Sequence, residues 1–175
     1  MTVGPSDRHA WVEAVHATPT MLVLAVTGGG IAAVTDLLLV PGASRTVLEV
    51  TVPYAQSALS ALTGGEGGAV STETAQRMAE AAYGRALALR PTSDVPVVGV
   101  ACTAALVTDR ERRGKDRACL AWVGVNGATT LEVELVKASA EDARAAQDRA
   151  VADRLLEIVV TATGAVPGAP SGPRR

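Results

Sequence analysis

The stretch that most constrains this chain is the apolar run at residues 21–26 (MLVLAV), stopped at once by Thr27-Gly-Gly-Gly30. Six consecutive apolar residues with no polar alternation suit a strand covered on both faces, which is the environment of a parallel sheet. The glycines end the strand in a tight turn, and residues 31–40 (IAAVTDLLLV) then read as a helix broken by Pro41-Gly42. Strand, turn and helix make the first half of a βαβ unit. Residues 46–52 (TVLEVTV) supply a second strand, rich in β-branched residues and ended by Pro53.

The same logic carries along the chain. Residues 8–17 read as a short amphipathic helix and 54–62 as another, followed by a Gly-rich link at 64–68. Ser71 is a candidate N-cap, with Glu73 in the first turn, for a helix running to about Leu89. Residues 95–101 form a further buried strand. A basic loop at 110–117 leads into 118–125, a turn at Asn126-Gly127 and a return through 131–136, which together read as a hairpin. A last helix over about 141–160 carries Val151, Leu155, Ile158 and Val159 on one stripe. The Gly/Pro/Ala-rich tail at 161–175 is expected to be disordered, so the domain is placed at 1–160. The expected fold class is α/β: a single-domain, three-layer α/β/α sandwich with a mixed β-sheet.

Composition matters here for what fills that sandwich. The chain has no Phe and two each of Trp and Tyr, so its core has to be built from Ala, Val and Leu. Sixteen basic against eighteen acidic side chains create no field favouring nucleic acid or an anionic membrane. The basic loop holds no aromatic residue and reads as a solvated segment. Cys102 and Cys119 lack metal-ligand spacing, so no metal, cofactor or disulfide framework is expected. No leader pattern or membrane-length apolar run is read, which points to the cytoplasm.

Chemistry concentrates at the glycine turn. Three glycines at 28–30 leave backbone N–H groups unshielded next to a helix start, an arrangement that can hold a phosphate, a carboxylate or an oxyanion. It matches neither the dinucleotide fingerprint nor a phosphate loop ending in Gly-Lys-Ser/Thr.

Four segments in order, Val26-Thr-Gly-Gly-Gly-Ile-Ala32, Val40-Pro-Gly-Ala-Ser44, Val52-Pro-Tyr54 and the helix from Ser71 to Ala82, resemble the C-terminal domain of the CinA family. The resemblance covers about residues 20–160. It implies the fold of that domain and a relation to nicotinamide-nucleotide amidohydrolases, which convert nicotinamide mononucleotide to nicotinic acid mononucleotide and ammonia. It also implies losses. The family's serine nucleophile falls at Ala25, its activating lysine at Leu59 and a threonine of its second active-site turn at Val98, while that turn's Gly-Pro becomes Cys102-Thr103. The glycine turn and Tyr54 are retained. An arginine of the last helix, expected to face a ligand phosphate, matches Arg144.

The candidate site is therefore Cys102, Thr27 and Tyr54 for catalysis, with Gly28, Gly29, Gly30, Thr103 and Arg144 for binding a phosphorylated small molecule. Each has a plainer reading. Thr27 suits a helix cap and Tyr54 a half-buried surface aromatic. Cys102 suits an inert packing residue unless Arg110 or Arg113 lowers its pKa. Asp109 and Arg110 read as a lid or a surface ion pair, Asp36 as a solvent-facing residue, and Asp142 and Asp148 as helix-surface partners for Arg144. Three functions stay open: an amidohydrolase using Cys102 or an activated water, a non-catalytic binding module, and a homo-oligomeric partner protein with a vestigial pocket.

Overall fold

The computed structural model describes residues 4–65, 68–109, 114–136 and 142–168. Helix α1 (Pro5–His16) leads into β1 (Met21–Thr27), α2 (Ile31–Leu39), β2 (Val47–Thr51), α3 (Gln56–Thr63) and α4 (Thr72–Leu89). The chain continues through β3 (Val97–Ala105), β4 (Arg117–Gly124), β5 (Gly127–Glu134) and α5 (Ala143–Thr163). One mixed sheet has the order β2-β1-β3-β4-β5, in which β1 pairs parallel with β2 and β3, and β4 and β5 continue antiparallel.

Alternation along the strands divides the core in two. On β1, Leu22, Leu24 and Val26 face a layer made by α1, α2 and α5, whereas Val23 and Ala25 face α3 and α4. On β3, Val98, Val100, Cys102 and Ala104 point to the first layer, and Val97 and Ala101 to the second. Both faces are covered, which is why these strands read as unbroken apolar runs. At Gly99 the sheet and α4 meet backbone to backbone: a Cβ there would lie 2.2 Å from the Tyr83 nitrogen and 2.3 Å from the Ala79 oxygen. The Ala-rich face of α4, with Ala75, Ala79, Ala82 and Ala86 fully or nearly fully buried, permits that approach. A core without phenylalanine is thus filled by bringing layers close rather than by large side chains.

Ser71 caps α4 as expected, its hydroxyl accepting the Thr74 N–H at 3.0 Å. Several boundaries differ from the sequence reading. Strand β3 continues four residues past Ala101, because residues 102–105 pair with β4 across the Cys102↔Leu120 to Ala105↔Arg117 register. The hairpin loop is Val125-Asn126 rather than Asn126-Gly127, since Gly127 already pairs with Gly124. Helix α5 runs to Thr163. Much of the basic loop (110–113) and residues 169–175 of the tail lie outside the described residues.

Candidate functional site

The parallel strands bring their carboxyl ends together at the point where connections leave to opposite faces, α2 to one and α3 to the other. Open α/β sheets place ligand crevices there. The glycine turn makes the geometry possible. Gly28 has φ +77°, and a Cβ on it would fall 1.8 Å from the Ala104 carbonyl oxygen, so the turn lies directly against the end of β3. Gly30, at φ +87°, then starts α2.

A cleft of about 570 Å³ opens above this turn. Thr27, Gly28 and Gly29 line it from β1, Val52 and Tyr54 from beyond β2, Leu106 from beyond β3, and Asp142, Arg144 and Asp148 from the start of α5. Arg144 ties these parts together. Its guanidinium donates to the Val107 carbonyl at 2.8 Å, to the Tyr54 hydroxyl at 3.2 Å and to the Gly28 carbonyl at 3.5 Å. Tyr54, Arg144 and the turn, distant in sequence, are therefore in contact. Tyr54 stands at the mouth, 67% exposed.

Cys102 and Thr103 are placed elsewhere. Cys102 is fully buried on the α2–α5 side of the sheet, beneath Gly30, where its thiol donates to the Gly29 carbonyl at 3.5 Å. Burial first, and the nearby Asp148 carboxylate second, push that thiol far above the usual thiol range. A protonated sulfur outside the cleft lining is neither accessible nor nucleophilic. Arg110 and Arg113, either of which is the condition for an activated Cys102, lie outside the described residues. Thr103, 1% exposed, faces the α4 layer, and its hydroxyl donates to the Ala69 carbonyl at 2.6 Å. Among the described residues, neither lines the cleft.

The three positions that the sequence resemblance marks as losses are all packing positions. Ala25 is fully buried between β1 and α4, Leu59 joins the same cluster from α3, and Val98 joins the opposite one. Cys119 is buried on β4, in keeping with a core role.

Asp148 is the residue that sequence reasoning missed. It is no partner of Arg144. One carboxylate oxygen accepts the Gly30 N–H at 2.7 Å and the Ile31 N–H at 3.1 Å, and the other accepts the Ala32 N–H at 3.1 Å. The first N–H groups of α2 are thus satisfied by a side chain from α5, with its charge against the positive end of the helix dipole. A signal existed: position 148 continues the stripe of Val151 and Leu155 at helical spacing, so a carboxylate there faces inward. Asp36 likewise is not a free surface residue, since it pairs with Arg149.

No protein-family profile and no curated protein matches the sequence. Solved structures do match the fold. A competence/damage-inducible protein, CihA, from Agrobacterium tumefaciens superposes with a TM-score of 0.69 at 23% identity, over 92% of this chain and 98% of that one. CinA-superfamily proteins from Escherichia coli and Enterobacter cloacae both superpose at 0.67, with 18% and 17% identity. They cover 90% and 92% of this chain, and 94% and 93% of their own lengths. This chain has the CinA-superfamily fold. At these identities the likeness is one of architecture, and the cleft has to be read from its own residues. Among the described residues, no cluster of His, Cys, Asp or Glu is arranged to hold a metal ion, and no helix is long and apolar enough to cross a membrane.

Proposed function

We propose that this chain is a CinA-like cytoplasmic protein that binds a small nicotinamide-containing or related heteroaromatic ligand in the cleft without hydrolysing it. The observation that carries this reading is the separation of cleft from nucleophile. Tyr54, Arg144 and the Thr27–Gly29 turn surround a ligand-sized space, while Ala25 and Cys102 lie buried beneath it. Amide hydrolysis by the covalent route needs a nucleophile within reach and a base to activate it. Thr27 offers a hydroxyl, but His16 is committed to Thr46 and Leu37 within the α1–α2 layer. Binding needs only the cleft, its apolar walls and a few fixed polar groups.

The test is to incubate the purified protein with nicotinamide mononucleotide and with nicotinamide riboside, measuring ammonia release and binding heat on the same preparation. Binding without ammonia, weakened in Arg144→Ala, is the expected result. Ammonia release abolished by Cys102→Ala would replace this reading with the amidohydrolase one. Absence of binding by either compound would remove both.

A further inference from the structure

The α2 start already holds an anion, and that anion belongs to the protein. We propose that Asp148 sets the charge selectivity of the cleft: by filling the cradle at residues 30–32 from within, it excludes phosphate from the start of α2 and favours a neutral or cationic ligand. This rests on the binding reading above and narrows its ligand class to the nucleoside or free heterocycle rather than the nucleotide.

Three observations on the cleft support it. The Asp148 carboxylate takes three backbone N–H groups through both of its oxygens, which leaves those donors committed. A phosphate could reach them only by displacing a half-buried carboxylate, which would then be left unpaired beside a second negative charge. Among the described residues, the lining carries two carboxylates, Asp142 and Asp148, against one guanidinium. That guanidinium is turned to the Val107 carbonyl, the Gly28 carbonyl and the Tyr54 hydroxyl. The rest of the nearby wall is apolar, from Val26, Ile31, Val52 and Leu106. Apolar walls with more carboxylates than cations among the described lining residues suit a flat, uncharged or cationic heterocycle.

Nicotinamide riboside and nicotinamide mononucleotide differ only by the phosphate and serve as the paired probes, with inorganic phosphate as the third. The wild-type protein is expected to bind the riboside at least about tenfold more tightly than the mononucleotide, and to show no phosphate-dependent stabilisation at matched ionic strength. Asp148→Ala frees the three N–H groups. It should lose stability through the missing cap, recover part of it on adding inorganic phosphate, and shift its preference towards the mononucleotide. Should Asp148→Ala fail to fold, Asp148→Ser removes the charge and shortens the side chain away from the three N–H groups, and the same readouts apply. Tighter binding of the mononucleotide by the wild type overturns the inference, as does a folded variant with no phosphate response. If the wild type binds neither nicotinamide compound, the binding reading falls, and the phosphate titration of the Asp148 variants alone decides the role of Asp148.

Discussion

His16 shows how one buried side chain links this fold to pH. Its Nε2 lies 2.9 Å from the Leu37 carbonyl and must donate to it, which leaves Nδ1 to accept the Thr46 hydroxyl at 2.6 Å. The ring is 3% exposed and holds α1 against α2 and the loop before β2. Burial lowers its pKa below the ordinary histidine value, the Leu37 contact opposes that shift, and the Arg45 charge adds to it. The unfolded chain therefore binds a proton more readily than the folded one, and stability rises with pH across that interval. The contribution is complete above the unfolded value of about 6.5 and declines as the pH falls below it. Urea unfolding at pH 7.5 and 5.5 should show lower stability at the acid end. His16→Gln, which keeps a donor for Leu37 but cannot titrate, should flatten that difference at a cost of about 1 kcal/mol at pH 7.5. An unchanged slope in the variant would assign the acid sensitivity to other groups. The same parity that buries residues on β1 and β3 explains Cys102. Val98 and Val100 lie in the core, so the residue two further on faces the same layer. That much was available from the alternation of the strand, and it outweighs the position of Cys102 after an apolar run.

Between elements, two interfaces matter most: α4 on β3, and the start of α5 on the strand ends beside the cleft. Gly99→Ala places a methyl 2.2 Å from the Tyr83 nitrogen, an approach that only movement of α4 can relieve. The expected cost is about 2–4 kcal/mol by denaturant unfolding, within the range of overpacked and strained sites. At the other interface, Gln147 is 5% exposed and acts as a polar fastener. Its oxygen accepts the Val107 N–H at 2.7 Å, and its nitrogen donates to the Asp116 carboxylate at 3.0 Å and to the Val136 carbonyl at 2.9 Å. Gln147→Met fills similar space but strands the Val107 N–H, for about 1–3 kcal/mol of lost stability by denaturant unfolding. Because Val107 also accepts from Arg144, the variant should weaken ligand binding even in conditions where it stays folded. Strands and helices were legible because their apolar periods are local. The length of β3 was not, since residues 102–105 become strand only through pairing with β4. Asp148 was hidden for a related reason: the N–H groups it satisfies lie 116–118 residues away along the chain.

Across the whole molecule, the cleft joins segments far apart in the chain, with the turn after β1 on one side and Arg144 and Asp148 of α5 on the other. Arg8 of α1 also donates to Asp153 of α5 at 3.1 Å, so the first and last helices are fastened on one layer. A site of that kind cannot open locally without loosening α5, and α5 cannot loosen without exposing Val151, Leu155, Leu156 and Val159. Ligand binding should therefore report on global unfolding rather than on a single loop. At about one hundred times its Kd, a ligand of the folded state adds about 2.7 kcal/mol. For a domain of this size that corresponds to a rise of about 5–11 °C in Tm. Trp11 on α1 and Trp122 on β4 both pack against the core layer that holds α5, which makes tryptophan fluorescence a reporter remote from the turn. Melting followed by fluorescence and by far-ultraviolet circular dichroism should shift together on adding nicotinamide riboside. A shift seen by one probe alone would mean that the cleft and the core unfold separately, and that α5 does not couple them.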